Sequence, residues 1–136
     1  MNNYEKLLDV AENDGITVTE DFDLSQTRFK GLYCDGLIAI NQEIETNAER
    51  TGILAEELGH HYTTVGDITN QMSIEDRKQE RRARIWAYNK LIGLRGILSA
   101  YKANCLTLNQ MAEHLEVSEE FLSEALDCYR TKYGPC

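Results

Sequence analysis

The chain has 136 residues, of which 42% are hydrophobic, a length and composition that predict one folded domain. Its 23 acidic and 14 basic residues give a net charge of −9, which argues against nucleic acid as a partner because phosphate backbones would repel it. No apolar run approaches the ~20 residues needed to span a membrane, and no signal peptide is visible. We therefore expect a cytoplasmic protein with no membrane partner, whose four cysteines are free thiols.

The first third of the chain predicts one helix and a small sheet. Apolar positions at helical spacing predict a helix over residues 2–13. The β-branched segment 16–19 predicts a strand. Two apolar runs, 29–34 and 37–40, flank Asp35-Gly36, and an Asp-Gly pair in that position is the strongest local signal for a hairpin. We expect a small antiparallel sheet here.

Helices are predicted for the rest of the chain. Capping-box patterns that start at Thr46 and Ser73 open helices over 46–62 and from Ser73 to about 92. Gly93 and Gly96 are expected to break this run, with a short helix following over 97–103. Strands first and helices after define an α+β fold.

A possible metal site lies in the helix over 46–62. Glu56 and His60 are four residues apart, so they share one helix face and could hold a single cation between them. Glu57 lies about 100° round the helix axis, where it could act on a water molecule without being a ligand. This is the arrangement of the HExxH helix with glutamate in place of the first histidine. The alternative is a glutamate-rich helix whose two final histidines interact with its C-terminal dipole.

Two further features support a site. Gly52 and Gly59 each cost about 0.5–1 kcal/mol in a helix interior, a cost tolerated where a backbone or ligand must approach closely. A zinc site also needs a third ligand from elsewhere. Glu80 on the next helix shares a face with Ala83 and Ala87, whose small side chains favour close helix packing. Its alternative role is an ion pair with a neighbouring arginine.

These segments resemble the ImmA/IrrE metallopeptidases. The resemblance rests on residues 54–62 (LAEELGHHY) and, about twenty positions later, on residues 80–87 (Glu-x-x-Ala-x-x-Trp-Ala). The family has a HELGH helix followed by a helix whose acid completes the zinc site, and its members are often encoded on phages beside a helix-turn-helix repressor. The resemblance covers roughly residues 1–130. It implies a zincin-like core, proteolysis of a cognate repressor or regulator, and Glu57 as the general base.

The candidate site residues follow. The metal ligands are expected to be Glu56, His60 and Glu80, while His61 or Tyr62 could contact the tetrahedral intermediate, although Tyr62 could equally serve packing. The family usually has histidine at the position of Glu56. Two carboxylates make a harder and more anionic site, so the preferred ion could shift from zinc toward manganese or another divalent metal.

The C-terminal third carries a competing signal. Residues 107–122 match a helix-turn-helix in spacing, but the second helix would present four acidic residues to phosphates, so we expect two packed helices that bind no DNA. His114 is expected at the surface. The predicted core positions of this pair are Leu108, Met111, Leu115, Val117, Phe121, Leu122 and Ala125.

We expect a single domain over residues 1–136, in which a helix and strands (1–45) precede the motif helices (46–92) and the C-terminal helices (93–136). The first functional hypothesis is a metal-dependent endopeptidase that cleaves a phage or mobile-element repressor. The second is a non-catalytic regulator that binds the same partner through a degenerate cleft. The third, DNA binding through residues 107–126, is disfavoured by charge.

Overall fold

The structure, a computed structural model, describes residues 2–24, 27–63 and 74–133. Six helices and three strands are formed in these ranges. In chain order they are α1 (Asn3–Asn13), β1 (Thr17–Phe22), β2 (Gly31–Cys34), β3 (Leu37–Asn41), α2 (Asn47–Thr63), α3 (Ile74–Leu91), α4 (Gly93–Lys102), α5 (Leu108–Leu115) and α6 (Glu119–Tyr133). The expected α+β fold is confirmed.

The sheet has the strand order β1-β3-β2 and is mixed rather than antiparallel throughout. Strands β2 and β3 form the expected antiparallel hairpin, and both turn residues have positive φ angles, 46° at Asp35 and 81° at Gly36, as a two-residue type I′ turn requires. Strand β1 pairs with β3 in parallel, with Val18 opposite Ile38. Strand β3 is therefore central, with β2 on one edge and β1 on the other.

Helix α2 lies at the centre of the molecule. Its Leu54, Ala55 and Leu58 are fully buried, and the helix packs against α1, α3 and strands β2 and β3. From the sheet, Ile38 and Ile40 complete this core. The capping interaction expected at its start is present, since the Glu49 amide donates to Thr46 Oγ1 at 3.1 Å. Because α2 packs against both the hairpin and α3, the polar residues of α2 lie between these elements.

The predicted break after α3 occurs at Gly93, but Gly96 does not interrupt the helix that follows. Helix α4 begins at Gly93, which has a φ angle of 60°, rather than at residue 97. Gly96 therefore lies inside α4, where a Cβ would stand 3.2 Å from a methyl group of Leu115. The glycine at this position permits α5 to pack closely. The second capping box lies partly outside the described residues because it starts at Ser73.

The C-terminal helices form the expected packed pair. Thr107 and Gln110 make a capping box at the start of α5, and Glu116 adopts a left-handed conformation with φ 61° at the turn. Leu108 is exposed, so its expected core role is wrong, and Met111 is only half-buried. His114 is exposed as expected, with Nε2 2.8 Å from Ser99 Oγ. The core positions confirmed as buried are Leu115, Val117, Phe121, Leu122 and Ala125.

Three of the four cysteines fall in the described ranges, and Cys34, Cys105 and Cys128 are free thiols as expected. None of the helices within those ranges combines the length and apolar character needed to cross a membrane.

Candidate active site

Helices α2 and α3 approach each other closely at Gly59. A Cβ at this position would lie 2.4 Å from the carbonyl oxygen of Ala83, a distance that no side chain tolerates. Ala83 and Ala87 are fully buried in the same contact. The expectation that Gly59 admits a neighbouring backbone is therefore confirmed, and the contact places His60, the next residue, opposite α3.

His60 and Glu80 meet across this contact. The Nε2 atom of His60 lies 3.0 Å from Oε1 of Glu80. The hydrogen bond between them raises the pKa of His60 and lowers the pKa of Glu80. The charge of Arg84 also lowers the pKa of Glu80, but among the described residues Glu80 pairs with His60 and not with an arginine, as the alternative from the sequence would require. Glu80 lies at the rim of the helix contact with its side chain 49% exposed, rather than within the packed face.

Two further carboxylates flank the pair and are half-buried. Burial raises the pKa of Glu57 to about 7, and the negative charges of Glu80 and Glu56 add to this effect while His60 opposes it. Burial also raises the pKa of Glu56, with Arg84 opposing and the charges of Glu80 and Glu124 contributing. Desolvated carboxylates need a compensating cation or hydrogen-bond donors. The three carboxylates of Glu56, Glu57 and Glu80 outnumber the cationic groups, His60 and Arg84, that lower their pKa values.

The hairpin reaches Glu57 through Gly31. A Cβ on Gly31 would lie 2.6 Å from Ile53 Cγ2 and 3.3 Å from the Oε2 atom of Glu57. Glycine therefore allows β2 to lie directly against the face of α2 that bears the carboxylate. The sequence showed the hairpin but did not identify this glycine as part of the site.

These residues line one open cleft of about 1000 Å³ between the hairpin, α2, α3 and α6. Glu56, Glu57, His60 and Glu80 all contribute to its surface. The sequence did not predict that the hairpin and α6 form the other walls, because this depends on how elements far apart in the chain pack together. The only indication was that the hairpin directly precedes the motif helix in the sequence. The missed residues include Arg28, Phe29, Lys30 and Tyr33 from the hairpin region and Glu120, Phe121 and Glu124 from α6.

His61 and Tyr62 do not line this cleft. The Nδ1 atom of His61 lies 2.6 Å from the hydroxyl of Tyr33, which does line it. The Tyr62 hydroxyl donates to Asp14, and its ring stacks on Trp86 with centroids 5.1 Å apart and planes at 22°. Tyr62 thus ties α2 to α1 and α3, which agrees with the packing role considered from the sequence.

The family model for the IrrE N-terminal-like domain matches residues 11–127. Neither the curated proteins nor the solved structures contain a match to this chain. Since the matched range covers most of the sequence, the chain belongs to the ImmA/IrrE family, a family of the metallopeptidase type. The family implies a divalent metal, usually zinc.

The donors suit such an ion in type and in location. Imidazole and carboxylate are ligands of zinc, and two ligands about 2.0 Å from a tetrahedral metal stand about 3.3 Å apart, close to the separation of His60 and Glu80. Glu56 adds a carboxylate to the same cleft. Within residues 2–24, 27–63 and 74–133, no three such side chains already form a complete coordination group. The side chains therefore match a divalent ion in ligand type and in their shared position in the cleft, while their complete coordination geometry is not already formed.

We predict that the metal-free protein loses stability as the pH rises from about 5 to 8. The folded-state pKa values of Glu56 and Glu57 are raised by burial, so the folded protein binds their protons more tightly than the unfolded chain. The raised pKa of His60 acts in the same direction. Its contribution to stability is fully present below the pKa of the unfolded chain and is lost as the pH rises through the higher pKa of the folded protein. The lowered pKa of Glu80 acts oppositely, but only at more acidic pH.

Thermal unfolding of EDTA-dialysed protein across this range measures the effect. Glu57→Gln removes one titrating carboxyl group, so the unfolding temperature of this variant should fall less steeply as the pH rises. Parallel curves for the wild type and the variant would contradict the assignment.

Proposed function

We propose that this protein is a metal-dependent endopeptidase whose catalytic groups are Glu56, Glu57, His60 and Glu80. The observation that carries the proposal is the direct His60–Glu80 contact beside the half-buried Glu57, in an open cleft of about 1000 Å³. The family match supports a peptidase. Glu56, His60 and Glu80 would hold the metal, which is the arrangement expected from the sequence.

The residues of the cleft have different roles in the proposed reaction. Glu57 accepts the proton of the attacking water and passes it to the leaving amine, a role that requires a carboxylate near the ligands but not among them. A divalent ion, when bound, supplies Lewis acidity for polarising the scissile carbonyl and the water. Gly31 allows β2 to lie against Glu57, so the hairpin forms one wall beside that carboxylate.

The substrate that we propose is a helix-turn-helix repressor or related regulator. Proteins that bind DNA carry basic surfaces. Glu120 and Glu124 of α6 line the cleft, and the whole chain has a net charge of −9, so a basic protein would be attracted to this face. The acidic helix that disfavoured DNA binding in the sequence thus forms a wall of the catalytic cleft.

The test is a cleavage assay with a purified helix-turn-helix repressor from the same genome. We expect it to be cut by the wild-type protein, to remain intact after the protein is treated with EDTA, and to be cut again after zinc or manganese is restored. A repressor that binds stably but stays intact with every metal would contradict the peptidase and support the non-catalytic regulator instead.

A further inference from the structure

Helix α4 exposes three large apolar side chains. Leu94, Leu98 and Tyr101 are 57%, 52% and 78% exposed, whereas Ala100 of the same helix is fully buried. Gly96 lies on the inner side, near Leu115. A surface helix ordinarily buries its bulky apolar residues and exposes its polar ones. In α4, therefore, three bulky apolar residues face solvent, while Ile97 packs against the core.

The exposed residues form a row. Their spacings of four and three place Leu94, Leu98 and Tyr101 on one face of the helix over two turns. Single exposed apolar residues are common on protein surfaces, but an ordered row of them marks an interaction site. Leu106, just beyond the end of α4, is exposed as well.

A basic edge runs beside the row. At 100° per residue, Arg95 and Lys102 lie within 20° of each other around the helix and border the apolar face. Both are exposed, and neither forms an ion pair with any residue that the structure describes.

The surrounding sequence has the same charge. Residues 81–112 contain six basic residues and no aspartate or glutamate, so this stretch carries +6 and the rest of the chain −15 (−9 minus 6). Within α4 itself, Arg95 and Lys102 are the charged residues and no acidic residue is present, so the edge of the apolar row is cationic in an otherwise acidic protein. Complementary charge favours an acidic partner here.

We propose that α4 is a docking site for an amphipathic helix of a partner protein that carries a row of apolar side chains with an acidic flank. Helix recognition of this kind uses anchors at the spacings found in α4. A second copy of the chain fits less well, because an antiparallel pair of α4 helices would bring Arg95 of one copy beside Lys102 of the other. Nucleic acid would leave the apolar row without a partner.

Two synthetic helical peptides test the proposal. They share the same row of leucines and differ only in their flanks, which carry glutamate in one and lysine in the other. Fluorescence anisotropy at low salt should show the glutamate peptide binding about tenfold more tightly, with the difference shrinking as salt is added. Leu98→Ser should abolish binding. Leu37→Ser, which changes an exposed leucine on β3, should leave binding unchanged.

The double variant Arg95→Glu/Lys102→Glu should reverse the preference between the two peptides. Equal binding of both peptides, or binding that survives Leu98→Ser, would overturn the proposal. So would a Leu98-dependent dimer in sedimentation analysis, which would assign the face to a second copy. Leu98-dependent binding to phosphatidylglycerol vesicles without a preference between peptides would assign it to a lipid surface. None of these readouts depends on peptidase activity.

Discussion

Replacing Glu57 with glutamine is expected to lower the kcat/KM for repressor cleavage by about 10²- to 10⁴-fold, the usual contribution of a general base. The amide cannot accept the proton of the attacking water, but it preserves the size of the side chain beside Gly31. Because Glu57 is not among the proposed ligands, metal content should stay at the wild-type level. The loss should therefore appear in the chemical step rather than in folding or in metal binding.

The matched control is Glu12→Gln, which makes the same chemical change on the exposed surface of α1. It should cleave at the wild-type rate. Wild-type cleavage by Glu57→Gln would show that the carboxylate has no catalytic role. Loss of metal from the same variant would instead show that Glu57 is a ligand.

Gly59→Ala is expected to destabilise the protein by about 1–3 kcal/mol, although alanine is the better helix former by about 1 kcal/mol. The added methyl group would lie 2.4 Å from the Ala83 carbonyl oxygen, which is backbone and cannot turn aside. The two helices must separate, and the 3.0 Å contact between His60 and Glu80 must lengthen with them. We expect lower unfolding midpoints in urea together with reduced metal binding.

Gly96→Ala provides the control, since it is also a glycine inside a helix. Its added Cβ would meet the methyl end of Leu115 at 3.2 Å, a flexible side chain that can move. The gain in helix propensity should therefore leave this variant as stable as the wild type or more so. If Gly59→Ala were equally stable, the close approach of α2 and α3 would not be a requirement of the fold.

Local features of the fold were predictable because neighbouring residues determine them. The Asp35-Gly36 turn and the Thr46 cap follow from backbone conformation and from hydrogen bonds a few residues apart. The parallel pairing of β1 with β3 was not predictable, because the residues of a strand do not specify which strand it pairs with or in which direction. Leu108 was assigned to the core because periodicity identifies residues that share a face but not whether another element covers it.

In the candidate site, too, the features set by neighbouring residues were predictable and those set by distant elements were not. Spacing along α2 predicted that Glu56 and His60 share a face, and small residues on α3 indicated the close contact that brings in Glu80. The Tyr33–His61 hydrogen bond and the contribution of Glu124 join residues 28 or more positions apart. No local pattern specifies such pairs. They follow only from the packing of the hairpin and α6 around α2.

Metal content is the most direct measure of what these side chains do together. Protein purified without chelators should contain about one divalent ion per chain, because Glu56, His60 and Glu80 supply three ligands of suitable type. His60→Ala removes the one imidazole of the set and leaves two carboxylates, so its metal content should fall to near zero. Mass-spectrometric analysis of the two proteins, prepared in parallel, measures the number of metal ions per chain in each. Equal and near-zero content in both would contradict a metal site at this position.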